Sequence, residues 1–157
     1  MHKKSDFYTL NGYRIKNKNK LTESMEDYLE MIYRYKNNGE IHVKDIAEKL
    51  NVKPSSVSKM INKLKDLELV DCLKYGSITL TMEGKKIGKY LLWRHNILVR
   101  FFKKLNEKNY SLEQVEKIEH FIDFETLKNM EKLLNKLLIF ILFISPNYFS
   151  SSSWMTL

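Results

Sequence analysis

The chain has 157 residues, of which 43% are hydrophobic, and a formal net charge of +8. This length allows one good-sized domain or two small ones, with enough apolar side chains for a buried core. The one cysteine excludes an internal disulfide and no export signal is recognisable, so we expect a cytoplasmic location.

The positive charge is concentrated in three segments. Residues 1–20 carry six basic residues and one acid, residues 53–65 carry four lysines, and residues 84–104 carry seven basic residues, the last two segments without any acid. Such clustering favours a polyanionic partner such as nucleic acid. Solvated, lysine-rich helix faces explain the charge alone equally well.

The first predicted elements are an arm and a helix. Residues 1–20 show no sustained period and are predicted to form a flexible basic arm. Apolar residues at helical spacing then predict a first helix, which Ser24 would cap and which would end near Asn37.

Two short helical patterns follow between residues 41 and 70, joined by residues 51–53. Their spacing is typical of a helix-turn-helix, and Pro54 suits the first turn of the second helix. Small hydroxyl, amide and lysine side chains on the outer face of that helix could reach phosphates or base edges. A helical hairpin used only for packing is the alternative. The outward-facing residues are Ser55, Ser56, Ser58, Lys59, Asn62 and Lys63.

The segment from Leu69 to Thr81 alternates around a turn and predicts a two-stranded hairpin. A hairpin behind a helix-turn-helix is a wing, which makes DNA binding the better interpretation. Three helices are predicted after it: a long one capped by Thr81, one opened by a capping box of Ser111 and Gln114, and one capped by Asp123.

The last 21 residues, from Leu137 onward, carry no charge. Their apolar run LLIFILFI is far shorter than the roughly twenty residues needed to span a bilayer. We therefore predict a buried or dimer-packed helix end, followed by a disordered tail over residues 145–157, and no membrane partner.

Acidic and histidine side chains form a dispersed set of candidate metal ligands. Asp27 and Glu30 lie three residues apart on the predicted first helix, and VEKIEH would place two carboxylates and an imidazole on one helical face. From spacing alone, each acidic pair is more often solvated. His95 falls on an apolar stripe, where a hydrogen-bonded core histidine is the commoner explanation.

Several segments together resemble a known family. TESMEDYLEMIY, DIAEKLNVKPSSVSKMINKL, LTMEGKKIGKYLLWRH and VEKIEH are similar, in order and spacing, to the DtxR/MntR family of metal-dependent transcriptional repressors, specifically to its short manganese-sensing branch. The resemblance runs from about Leu21 to Leu134. It implies a mainly α protein: an N-terminal winged helix-turn-helix DNA-binding domain with a small β-hairpin wing, followed by a helical metal-binding and dimerisation domain. It also implies a homodimer that represses metal-uptake genes at a two-fold DNA operator.

The resemblance further implies which residues bind metal and DNA. Oxygen-rich ligation with two imidazoles and no sulfur suits one or two Mn(II) ions per subunit or Fe(II), and Co(II) or Zn(II) could bind in vitro. Glu119 favours manganese, because iron-responding relatives often carry a cysteine there. The implied metal ligands are Asp27, Glu30, His95, Glu116, Glu119 and His120. The implied DNA contacts are Pro54, Ser55, Ser56, Ser58, Lys59 and Lys63, with Lys74 and Tyr75 in the wing.

The predicted organisation is an arm over 1–20, a DNA-binding domain over 21–82, a helical domain over 83–144 and a tail over 145–157. The turn at Gly76 and Ser77 departs from the arginine and glycine common in relatives. An iron-dependent repressor of the same family and a metal-independent winged-helix regulator are alternatives. A metalloenzyme is a further rival, but HExxH, a nucleophile motif and a phosphate-binding glycine loop are all missing, so we expect no enzymatic activity.

Overall fold

The computed structural model describes residues 21–35, 40–73, 76–107 and 110–144, and for residues 138 and 140–144 the description covers the backbone alone. These residues fall into two compact units, one ending at Lys89 and the other beginning at Tyr90. The predicted fold class, mainly helical with a small antiparallel sheet, is confirmed. The predicted arm and tail lie outside the described residues, as do Lys74 and Tyr75.

The described residues of the first unit form four helices and a three-stranded sheet. The helices form because apolar residues recur at helical spacing, and their buried faces meet in one core. The strands are ordered β1-β3-β2, all antiparallel. The elements are α1 (Glu23–Tyr35), β1 (Ile41–His42), α2 (Val43–Lys49), α3 (Pro54–Asp66), β2 (Val70–Cys72), β3 (Ser77–Leu80) and the start of α4 (Met82–Asn106).

The predicted hairpin is present, with Val70 opposite Leu80, but it gains a third strand. Ile41 of β1 pairs with Ile78 of β3. The sequence pattern had favoured a helical segment at Ile41, because two residues are too short to show a strand period. Pairing with a segment far along the chain decides their conformation.

Helix α3 follows the predicted pattern closely. Pro54 occupies its first turn, and Val57, Ile61 and Leu64 are buried. The turn before it contains Asn51 at a φ of 53°, in the left-handed region that asparagine tolerates better than most residues. Helices α2 and α3 therefore form the predicted helix-turn-helix.

The predicted cap of α1 was wrong by two residues. The backbone N–H of Met25 donates to Thr22 Oγ1 at 3.3 Å, and Ser24 lies inside the first turn instead. Serine and threonine are both common N-cap residues, so residue type alone did not exclude Thr22.

The start of α4 is held by close backbone contacts. Thr81 caps it as predicted, since the N–H of Gly84 donates to Thr81 Oγ1 at 3.0 Å. A Cβ atom on Gly84 would lie 1.9 Å from the carbonyl oxygen of Leu69, and one on Gly88 would lie 2.7 Å from Cβ of Tyr33. Glycine at these two positions lets α4 pack directly on α1 and on the chain entering β2.

The second unit contains the rest of α4, then α5 (Leu112–Ile118), a 3₁₀ turn (Glu119–Phe121) and α6 (Phe124–Ile144). Its core consists of Ile97, Leu98, Val115 and Leu127. Trp93 packs beside this core and donates from Nε1 to Glu131 at 3.1 Å. This core holds the end of α5 against the middle of α4.

Helices α5 and α6 differ in how their first turns are capped. Ser111 occupies the N-cap position of α5 but its side chain makes no capping hydrogen bond, so the predicted capping box was wrong. Asp123 caps α6 as predicted, because the backbone N–H of Thr126 donates to Asp123 Oδ1 at 2.9 Å.

We expect Asp123 to make the stability of the chain depend on pH. The backbone N–H and hydroxyl of Thr126 donate to its carboxylate and lower the pKa of Asp123 below its usual 3.8. A lowered pKa stabilises the fold above the ordinary value, and this stabilisation is lost as pH falls through the folded-state pKa. We expect Asp123→Ala to lower the urea unfolding midpoint near pH 7, and the difference from the native chain to shrink below about pH 4. A difference that stays constant down to about pH 2.5 would contradict this role.

Helix α6 extends to Ile144 and so includes the predicted apolar helix end. Leu137 and Ile139 are 37% and 53% exposed, so neither side chain is buried within the single chain. Packing of this end in a dimer stays a prediction. Among the described helices, none combines the length and the apolar character that a membrane crossing needs.

Candidate metal centre and nucleic-acid surface

A buried acid–imidazole pair lies in the second unit. His95 projects from α4 and Glu119 from the 3₁₀ turn, and His95 Nδ1 lies 3.0 Å from Glu119 Oε2. The two residues are 6% and 2% exposed. A carboxylate so far from water is costly to bury unless it is paired with a partner or a cation.

Glu116 adds a second carboxylate at the edge of this pair. Its Oε1 lies 3.6 Å from His95 Nδ1, and its side chain is 50% exposed. Ligand atoms of His95, Glu116 and Glu119 all lie within 4.8 Å of one another. Two atoms bound about 2.1 Å from one ion lie at most about 4 Å apart, so small side-chain shifts would suffice for coordination. Two carboxylates and an imidazole suit a hard or borderline divalent cation.

Glu116 and Glu119 differ in burial although they lie three residues apart. We predicted one continuous helix through VEKIEH, but α5 ends at Ile118 and a 3₁₀ turn follows. Glu119 is buried beside His95 of α4, while Glu116 stays at the solvent edge.

His120 lies beside the same carboxylate and beside an arginine that the sequence patterns did not single out. Its Nε2 is 3.9 Å from Glu119 Oε1, and its Nδ1 is 3.2 Å from Arg94 Nη2. Arg94 is only 3% exposed. Sequence spacing could not mark Arg94 as part of the site, because successive helical residues point about 100° apart and only His95 continues the stripe.

The remaining candidate ligands, Asp27 and Glu30, belong to the first unit. Asp27 is partly buried on α1. Glu30 is 6% exposed, and its Oε1 accepts a hydrogen bond from Arg34 Nε at 2.9 Å and another from Arg34 Nη2. Their part in metal ligation stays a prediction.

The outer face of α3 offers a basic, open surface. It carries lysines and small hydroxyls and no acid before Asp66, as DNA contact requires. Ser58 Oγ donates to the carbonyl of Pro54 at 3.1 Å, so its hydroxyl oxygen is left to accept. Each candidate DNA contact on α3 is exposed: Pro54, Ser55, Ser56, Ser58, Lys59 and Lys63.

The wing turn is described only in part. Gly76 is exposed with a φ of 76°, a left-handed conformation that glycine adopts without strain. Lys74 and Tyr75 precede it outside the described residues, so their contact with DNA stays a prediction.

A helix-turn-helix followed by a hairpin wing is the architecture of a DNA-binding domain. Two family models match the chain in agreement with this architecture. "Iron dependent repressor, N-terminal DNA binding domain" matches residues 20–78, and "Iron dependent repressor, metal binding and dimerisation domain" matches residues 81–138. The chain belongs to the iron-dependent repressor family, a family of transcriptional regulators, and the predicted family resemblance is confirmed.

Two relatives of similar length are named as transcriptional regulators. The HTH-type transcriptional regulator MntR of Oceanobacillus iheyensis is 40% identical over 116 residues, which cover 73% of this chain and 79% of the relative. The protein of the same name from Bacillus subtilis is 43% identical over 117 residues, covering 72% and 81%.

A solved structure shares the fold. The manganese regulator SloR superposes with a TM-score of 0.64 at 32% identity, over 73% of this chain and 55% of the SloR chain. This chain therefore spans only about half the length of that structure.

Proposed function

We propose that this protein is a manganese-responsive DNA-binding repressor, in which Mn(II) binding promotes operator binding by a homodimer. The observation that carries the proposal is the buried His95–Glu119 pair with Glu116 at its edge. It lies in the segment that the metal-binding family model covers, and the relatives' names, MntR and manganese regulator, support the choice of metal.

His95, Glu116 and Glu119 would hold the ion, and we propose Asp27, Glu30 and His120 as further ligands for one or two ions per subunit. A bound cation would balance negative charge on Glu30 and Glu119, the two candidate carboxylates that are buried. Asp27 and Glu30 lie in the DNA-binding half of the sequence, so their ligation would make the position of that half depend on metal.

The position of the DNA-binding half matters because a dimer binds a two-fold operator only when its two recognition helices are the right distance apart. We propose that metal favours the arrangement with this spacing. A coupling of typical size, about 1–3 kcal/mol, would raise operator affinity about 5- to 150-fold.

The identity of the metal is proposed from ligand chemistry. The candidate ligands are oxygen and imidazole nitrogen, with no sulfur, which suits Mn(II) or Fe(II). Mn(II) stands low in the divalent affinity series, so Co(II) and Zn(II) are expected to bind the purified protein tightly as well. The description of the family models names iron, which makes an iron-dependent repressor the second candidate.

The test is a binding titration on a selected operator. The full chain would first select a duplex from a random-sequence pool, in parallel selections with Mn(II), with Fe(II) and with a chelator. Fluorescence anisotropy would then measure its affinity for each selected duplex with Mn(II), Fe(II), Co(II), Zn(II) or a chelator. We expect the strongest coupling with Mn(II). Equal affinity in Mn(II) and in chelator would instead identify a metal-independent regulator, and a response to Fe(II) alone an iron-dependent one.

Substitution of Lys59 tests whether α3 contacts DNA. Its exposed ammonium group can neutralise a phosphate, which releases condensed counterions. We expect Lys59→Ala to weaken operator binding and to reduce the slope of log affinity against log salt by about one. Lys104→Ala, which removes an exposed lysine near the end of α4, is the matched control and is expected to keep the native slope. An unchanged slope in Lys59→Ala would remove Lys59 from this role.

A further inference from the structure

We propose that Arg94 is a built-in competitor of the metal ion: its guanidinium group holds His120 in the metal-free chain and must release it before this imidazole can become a ligand. The inference rests on the proposed function, because it concerns the ion that this function requires. It assigns Arg94 as a positioning residue that sets how much metal the protein needs.

The hydrogen bond between Arg94 and His120 has only one possible direction. Arg94 Nη2 lies 3.2 Å from His120 Nδ1. A guanidinium group is always charged and has donors but no acceptor, so His120 Nδ1 must accept. In a neutral imidazole the proton then sits on Nε2.

This proton position blocks ligation by His120. A histidine binds a metal through an unprotonated ring nitrogen, and here Nδ1 is used by Arg94 while Nε2 carries the proton. Ligation through Nδ1 would need the position that Arg94 Nη2 now occupies. Ligation through Nε2 would need the proton on Nδ1, which then could not face a guanidinium donor. The Arg94 contact would therefore have to break in either case.

The charge of Arg94 acts in the same direction. Arg94 is 3% exposed, and the side chain of His120 is 10% exposed, so water screens this region poorly. A divalent ion that approaches His120 meets a permanent positive charge already in place. Arg94 should therefore weaken metal binding, whereas an arginine that only supported packing would leave metal affinity unchanged.

Arg34 offers an internal comparison on the other proposed ligand set. Its Nε donates to Glu30 Oε1 at 2.9 Å, but its side chain is 37% exposed. A carboxylate has a second oxygen and spare lone pairs, so Glu30 can bind an ion without losing Arg34 completely. Water around the partly exposed Arg34 side chain also screens its charge from Glu30. The same competition should therefore be much weaker at Arg34 than at Arg94.

The experiment compares Mn(II) affinity in three variants by competition with a metal-binding dye. Methionine replaces each arginine, since it is unbranched and adaptable but carries no charge or donor. We expect Arg94→Met to bind Mn(II) about tenfold more tightly, the size of one charge-assisted hydrogen bond. Arg34→Met should gain only about twofold. Arg100→Met, which removes an exposed arginine of α4, is the matched control and should be unchanged.

A second measurement needs no metal and no change at Arg94. Long-range ¹⁵N–¹H correlation spectra distinguish the two neutral tautomers of histidine, and His120→Gln assigns the His120 signals. We expect the metal-free native chain to hold His120 with its proton on Nε2. A proton on Nδ1 would overturn the inference, even if Arg94→Met failed to fold.

The outcomes separate this inference from the proposed function. Mn(II) binding by the native chain with equal affinity in Arg94→Met and Arg100→Met would overturn the competition alone. Failure of the native chain to bind Mn(II) would overturn the proposed function and the competition with it. Tighter binding in Arg94→Met alone, with the expected His120 tautomer, would support both.

Discussion

Glu119→Gln is expected to abolish the stabilisation of the protein by Mn(II). The glutamine keeps the size of the side chain and can still hydrogen-bond to His95, but it removes the most deeply buried of the proposed anionic ligands, which is 2% exposed. We expect Mn(II) affinity to fall by more than about 100-fold, since even residues that only orient ligands are typically worth 10- to 100-fold.

Thermal unfolding with and without Mn(II) measures this effect. At a free Mn(II) concentration about 100 times the dissociation constant, the native chain should gain roughly 2.7 kcal/mol, or about 5–10 °C in its unfolding temperature. Glu119→Gln should show almost no rise at the same concentration.

The metal-free variant is expected to be no less stable than the native chain, because a neutral amide is cheaper to bury than a carboxylate. A metal-free stability that does not fall distinguishes the loss of a ligand from general damage to the fold. Glu125→Gln, which neutralises an exposed acid in the first turn of α6, is the matched control and should keep the full rise. An undiminished rise in Glu119→Gln would remove Glu119 from the metal site.

Gly84→Ala is expected to lower the stability of the first unit more than Gly88→Ala does. The added Cβ would lie 1.9 Å from the carbonyl oxygen of Leu69, a backbone atom that cannot rotate away. Forced backbone shifts of this kind typically cost about 1–3 kcal/mol, and we expect a value near the upper end. Helix propensity acts in the opposite direction but contributes only about 0.5–1 kcal/mol, so the clash should dominate.

Urea unfolding at neutral pH measures the change for Gly84→Ala. Lys89→Ala is the matched control, because it introduces alanine at an exposed position of the same helix, where no clash arises. We expect the control to unfold near the native midpoint. A Gly84→Ala chain as stable as the native one would show that α4 does not need this close approach.

The sequence alone predicted those features that depend on neighbouring residues. Pro54 marked the first turn of α3, and the period of 3.6 residues separated buried Val57 and Ile61 from the exposed face. Caps such as Thr81 and Asp123 were found because a capping side chain bonds to a backbone group only three residues away. These interactions are complete within one turn, so a short stretch of sequence contains all of their partners.

Such sequence patterns predicted only part of the candidate metal site. Spacing placed His95 on a buried stripe, but it left the acidic pairs as solvated surface, and only the family resemblance joined the six candidate ligands. The structure brings His95, Glu116 and Glu119 together. It also adds Arg94, which no spacing rule marks.

Tertiary structure decided the features whose partners are far apart along the chain. Ile41 becomes a strand because Ile78 is beside it, and Glu119 is buried where it meets His95 of α4. Periodicity reports which face of an element is apolar, but it carries no information about the segment that will cover that face. The physical reason is that burial and long-range hydrogen bonds depend on the packing of the whole unit, whereas helix periods and caps depend on a few adjacent residues.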